Sequence, residues 1–149
     1  MHPPFKLTGD DDEATMVACF QCRIEVPTAE AQAVLDAVRT AVGLAYGAYD
    51  SVAFTTAEGT QQFRPLDGSR VGASETAMRV PCVVIGFSIP QDPSIVAKML
   101  AAARAAHPYQ EPVITLIPAF ASRADYATGQ DDPTKWWNRE KPDWLPHDV

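Results

Sequence analysis

The chain has 149 residues, 12 Lys+Arg against 19 Asp+Glu, a formal net charge of -7 and 46% hydrophobic residues. This length predicts one domain with tails, the apolar fraction excludes wholesale disorder, and the acidic balance argues against nucleic-acid binding. No apolar run approaches the roughly 20 residues of a membrane-spanning helix, so no membrane partner is expected. Residues 1–5 lack a signal-peptide layout, and three cysteines do not suit a disulfide framework, so a cytoplasmic location is expected.

Most of the acidity lies at the ends. Residues 1–15 carry four acids and one base, residues 130–149 five acids and three bases, and the stretch between them ten acids and eight bases. The run Asp10-Asp11-Asp12-Glu13 follows Gly9 without apolar periodicity, which predicts an acidic, flexible tail over residues 1–15. The 13 prolines are roughly twice the usual share of about 5%. Eight fall between residues 16 and 129, and their positions predict that they flank elements rather than interrupt them.

Residues 17–26 alternate, with Ala18, Phe20, Cys22, Ile24 and Val26 on one face, and predict a half-buried strand ended by Pro27. Thr28 is the expected N-cap of a helix that buries Val34, Leu35, Val38 and Val42 and stops at Gly43. Residues 51–57 and 60–64 read as two short strands around a turn at Glu58-Gly59. An irregular stretch runs from Pro65 to Pro81, and loops of that length are usually functional or involved in assembly. Residues 82–89 predict a strong strand, and Asp92-Pro93 supply an N-cap and first-turn proline for a helix running to about residue 106. Residues 113–117 are the last strand. The order β-α-β-β-α-β with a small extra hairpin predicts an α+β, ferredoxin-like sandwich. Both helices would cover one sheet face. The apolar character of Cys82, Val84 and the last strand then predicts that a neighbouring subunit or the aromatic tail covers the other.

Four places are candidates for chemistry. Cys19-Phe20-Gln21-Cys22 is a CxxC in spelling only, because strand residues three apart face opposite sides. His107-Pro108-Tyr109-Gln110-Glu111-Pro112 places an imidazole at a helix end with a carboxylate nearby. It reads either as a proline-locked structural corner or as a site for an ion or small ligand. Arg64, beside the Gly68-Ser69 turn, is a candidate anion contact or a surface partner of Asp67. Trp136, Trp137 and Trp144 stand among Pro133, Pro142 and Pro146, in a C-terminal extension (residues 119–149) expected to dock on the domain, a neighbouring subunit or a partner protein. No P-loop, dinucleotide fingerprint, nucleophile elbow or multi-histidine pair is present, so an enzyme is not expected.

Four segments carry a resemblance: Tyr49-Asp50-Ser51-Val52-Ala53-Phe54-Thr55-Thr56, then Glu58-Gly59-Thr60, then Gln62-Phe63-Arg64-Pro65-Leu66-Asp67-Gly68-Ser69 with Gly72, then the His107–Pro112 corner. Over residues 16–118 the chain resembles the YqfO domain, a module inserted in Nif-three-like proteins and also found alone. The resemblance implies a ferredoxin-like fold related to CutA and PII proteins, and assembly as a homotrimer. The dinuclear metal centre of the parent proteins lies outside the inserted module, and its chemistry is not implied here. The resulting expectation is a non-enzymatic, PII/CutA-like trimer binding a small ligand or divalent cation, with copper or zinc as candidates, in a cleft between subunits. Arg64, His107, Tyr109 and Glu111 are the expected ligand contacts, and His107 and Glu111 the expected metal ligands.

Overall fold

The alternation that starts at Val17 belongs to a longer strand whose pairing organises the sheet. The computed structural model describes residues 3–8, 13–124, 126–127 and 129–140. Strand β1 (Phe5–Thr8) pairs with β2 (Glu13–Pro27), and a single 3-10 turn (Thr28–Glu30) leads into α1 (Ala31–Val42). Then come β3 (Phe54–Thr55), β4 (Gly59–Phe63), β5 (Met78–Pro90), α2 (Pro93–Ala106), β6 (Ile114–Arg123) and a 3-10 turn at Trp136–Asn138.

β2 pairs antiparallel with β5 on one side and β6 on the other, and both β3 and β4 pair with the outer side of β5. With α1 and α2 packed together on one face, this is the ferredoxin-like α+β sandwich, carried on a six-stranded antiparallel sheet. Cys22, Ile24 and Val26 of β2 and Val83, Ile85, Phe87 and Ile89 of β5 form the core with Val34, Val38, Met99 and Ala103 of the helices. One face of each strand feeds this core because side chains alternate, and the helical positions recur every three or four residues.

Several expectations are corrected. Residues 5–8 and 13–15 are strand rather than tail: Phe5 lies opposite Met16 and its ring meets Phe120 edge-on at 5.1 Å. Asp10–Asp12 lie outside the described residues, as do His2, Pro142, Trp144, Pro146 and His147. Thr28 does not cap α1; the helix is entered through the 3-10 turn, with no side-chain cap at its N-terminus. Pro81 and Pro118 sit inside β5 and β6 rather than beside them. Pro81 is tolerated because the pairing of β2 with β5 stops at Cys82, leaving a partner strand on one side only. Pro118 is tolerated in a strand that pairs with β2 alone among the described residues. The strand expected over 51–57 reduces to Phe54–Thr55.

One start signal and one stop signal hold. Asp92 accepts from the Ser94 backbone N–H at 2.7 Å with Pro93 in the first turn. Gly43 ends α1 at φ 74°, a left-handed geometry that glycine adopts without a Cβ clash. A Cβ at Gly43 meets nothing within 4 Å, so Gly43→Ala is expected to cost about 1 kcal/mol from backbone strain alone. Gly47 shares a positive φ, but a Cβ there would lie 2.6 Å from the Tyr126 hydroxyl, so Gly47→Ala is expected to cost more. Urea denaturation of both variants checks the order; a costlier Gly43→Ala would contradict it.

Candidate ligand-binding groove

The segment after α2 is held by one residue of β2. Pro108 disfavours helical geometry at His107, which takes up an extended conformation (φ -77°, ψ 136°) at the helix end. The imidazole is 6% exposed, with Nε2 2.8 Å from the Glu25 carbonyl oxygen. The Tyr109 backbone N–H donates to Nδ1 at 3.1 Å, so Nδ1 accepts and Nε2 carries the proton that Glu25 receives. The Glu25 N–H in turn donates to the Val113 carbonyl at 3.0 Å. Both backbone groups of Glu25 therefore hold the corner, one near each end.

This brace aims Tyr109. Its ring meets His107 edge-on at 5.0 Å and Phe63 of β4 at 5.5 Å with a 58° tilt. Its hydroxyl lies 3.9 Å from Cys82 Sγ, on the sheet face opposite the helices. Cys82 also contacts Gln61 Oε1 at 3.7 Å, and Gln61 Nε2 donates to Glu25 Oε2 at 2.8 Å. The corner thus covers part of the second face that the sequence leaves apolar. Burial first, then the neighbouring Cys82 thiol and the Glu30 charge, push the Tyr109 phenol up to about 12.

Between this corner and the hairpin lies a groove of about 450 Å³. Gln61 and Phe63 come from β4, Pro65, Ser69 and Val71 from the loop after it, Met78 from β5, and Pro108, Tyr109, Gln110, Glu111 and Val113 from the corner. The loop is anchored at several points: the Arg70 N–H donates to Gln110 Oε1 at 3.0 Å, Ser74 N to Pro65 O at 3.1 Å, and Ser69 Oγ to Gly72 O at 3.2 Å.

Of the expected contacts, Tyr109 and Glu111 line the groove, whereas Arg64 and His107 do not. Arg64 donates to the Ser74 carbonyl at 3.3 Å and serves the loop. His107 has both ring nitrogens engaged with the backbone, which leaves no lone pair for a metal. Copper or zinc therefore does not fit His107 in this arrangement, and among the described residues no three His, Cys, Asp or Glu side chains converge on one point. The reading of Cys19 and Cys22 as separate buried residues holds: Cys22 is in the helix-side core with its thiol pushed up to about 12 by burial, and the two stand on opposite faces. Phe63 falls within the resembling motif, but Val71 and Met78 carry no signal in sequence beyond the length of their loop. Trp136 and Trp137 are 57% and 62% exposed.

A search of solved structures finds a Bacillus cereus protein related to NIF3, 29% identical with a TM-score of 0.59, over 70% of this chain and 26% of that one. This chain therefore spans about a quarter of the length of that protein. CutA1 from Oryza sativa matches at 9% identity and a TM-score of 0.49 over 70% of this chain and 82% of that one. A Staphylococcus aureus protein matches at 16% and 0.47 over 77% and 26%. No protein-family model and no curated protein matches.

Removing the brace leaves two partly buried backbone groups without their partner, so His107→Ala is expected to lower stability by about 2 kcal/mol in urea denaturation. A loss near zero would show that the corner holds without it. The raised Tyr109 phenol also has a signed consequence. The folded chain keeps this proton more tightly than the unfolded one, whose phenol titrates near 10.0, so the contribution is complete below that pH. It is lost as pH rises toward about 12. Ultraviolet titration should show one of the 4 tyrosines ionising last, and Tyr109→Phe should remove that step.

Proposed function

We propose that this chain is a non-catalytic, PII/CutA-like binding module whose groove holds a small ligand between Phe63, Tyr109 and Glu111. One observation carries the reading: the two motifs that resemble the Nif-three-like module, around residues 62–72 and 107–112, meet in space in the lining of this groove. Segments about 40 residues apart are brought together and tied by the Arg70–Gln110 hydrogen bond. A volume of about 450 Å³ falls within the few hundred Å³ typical of small-molecule sites. The lining offers apolar walls and one carboxylate, which suits holding a molecule.

The proposed assembly is a homotrimer with the groove completed by a neighbouring copy. Val113 lines the groove and leads into β6, whose outer edge pairs with no strand among the described residues. Ile117 of β6 is 47% exposed, so an apolar, open edge continues from the groove mouth. A second reading, favoured by the exposed Trp136 and Trp137, is a module that docks a partner protein through its C-terminal extension. A reducing cytoplasm is the proposed location, in keeping with three free cysteines.

Light scattering is expected to give the mass of a trimer, and Ile117→Lys to reduce it to a monomer; a wild-type monomer removes the assembly. Screening a small-molecule library by amide chemical shifts should give hits clustered on Phe63, Val71, Tyr109 and Glu111. Hits confined to other surfaces would refute the groove. Truncation after Asp132 should leave the groove and the number of subunits unchanged, whereas loss of a partner contact would favour the second reading.

A further inference from the structure

We propose that the groove recognises an organic ammonium ion, a cation carried on apolar substituents, through the rings of Phe63 and Tyr109 and the carboxylate of Glu111. This rests on the groove being a ligand site. The two rings lie 5.5 Å apart and are tilted by 58°, so they present a corner of π-faces rather than a closed stack. A cation over such faces is attracted by the ring quadrupoles. Val71, Met78 and Val113 extend the walls with apolar surface that matches alkyl or aryl substituents.

The charge of the site has one source. Among the lining side chains Glu111 is the one carboxyl group, and none is Lys, Arg or His. Glu111 is exposed and has no hydrogen-bond or ion-pair partner among the described residues. The other polar groups are already engaged: Gln61 with Glu25 and Cys82, Gln110 with the Arg70 N–H, and Ser69 with Gly72. An anion would meet an unpaired carboxylate. A metal ion would find one acidic ligand where it needs several. An alkylated ammonium spreads its charge, is weakly hydrated, and loses little on leaving water for a wall of rings.

The test uses the full chain in an amide chemical-shift titration with two probes of one shape. These are choline and dimethylbutanol, its uncharged isostere with carbon in place of nitrogen. Choline is expected to shift Phe63, Val71, Tyr109 and Glu111 and to bind about tenfold more tightly than the alcohol. Glu111→Gln, at an exposed and unpartnered position, is expected to fold normally and to weaken choline about tenfold while leaving the alcohol unchanged. Phe63→Leu is expected to weaken choline more than the alcohol. Equal affinity for the two probes in the wild type would overturn the charge reading and leave the groove standing. If neither probe nor any library hit touches the lining, the ligand site fails with it.

Discussion

The corner after α2 depends on both backbone groups of Glu25. In an extended strand the N–H and C=O of one residue point to the same side. Here that side faces the start of β6, where Val113 accepts from the N–H and the His107 imidazole donates to the C=O. The imidazole therefore takes the place of a neighbouring strand's N–H at the point where β6 has not yet begun. Without it a partly buried carbonyl would lack a donor, and the chain leaving α2 would not be directed toward the hairpin. The 2.8 Å separation and the acceptor role of Nδ1 fix one tautomer, and with it the ring orientation against which Tyr109 packs.

The effect of this brace reaches well beyond the corner. Tyr109 reaches Cys82 of β5, Cys82 reaches Gln61 of β4, and the Gln61 amide returns to the carboxylate of Glu25. Backbone and side chain of one β2 residue thus connect the corner to the outer hairpin across the sheet face opposite the helices. The loop after β4 is fastened to the corner separately, through Arg70 and Gln110. Groove shape depends on both ties, so a strained corner would move the aromatic wall relative to the loop wall.

The architecture is legible where local chemistry and periodicity agree. Alternation at Phe20–Val26, the Asp92-Pro93 start and the Gly43 stop all act within a few residues, and all appear in the fold. The errors come from tertiary context. Phe5–Thr8 is too short to show a period and becomes a strand because β2 continues past Val17 and offers it an edge. Pro81 and Pro118 look like boundaries in isolation, yet each lies in a strand with one partner at that point. The site divides in the same way. The His-Pro-Tyr corner is visible in the sequence, with its structural and functional readings both open. The Glu25 carbonyl, 82 residues away in sequence, ties His107 to the backbone, while Tyr109 and Glu111 of the same corner line the groove. Arg64 stands out for its charge, yet it turns to a loop carbonyl that no local pattern announces.

Assigning His107 to structure changes what the remaining groups can do. A divalent ion exchanges a tightly held hydration shell for several ligands at short range, and one carboxylate with a bound-up imidazole supplies too few. The same carboxylate beside apolar walls is a stronger feature for a large, weakly hydrated cation. Low-dielectric surfaces on either side raise its field, and the rings of Phe63 and Tyr109 add attraction without demanding coordination geometry. The chain's overall -7 is no measure of that field, because most of it belongs to residues 1–15 and 130–149, and Glu111 is the one charged side chain in the lining. Selectivity between cation types at this groove is therefore a matter of desolvation. The ion that gives up least water gains most from a site with one charge and two rings.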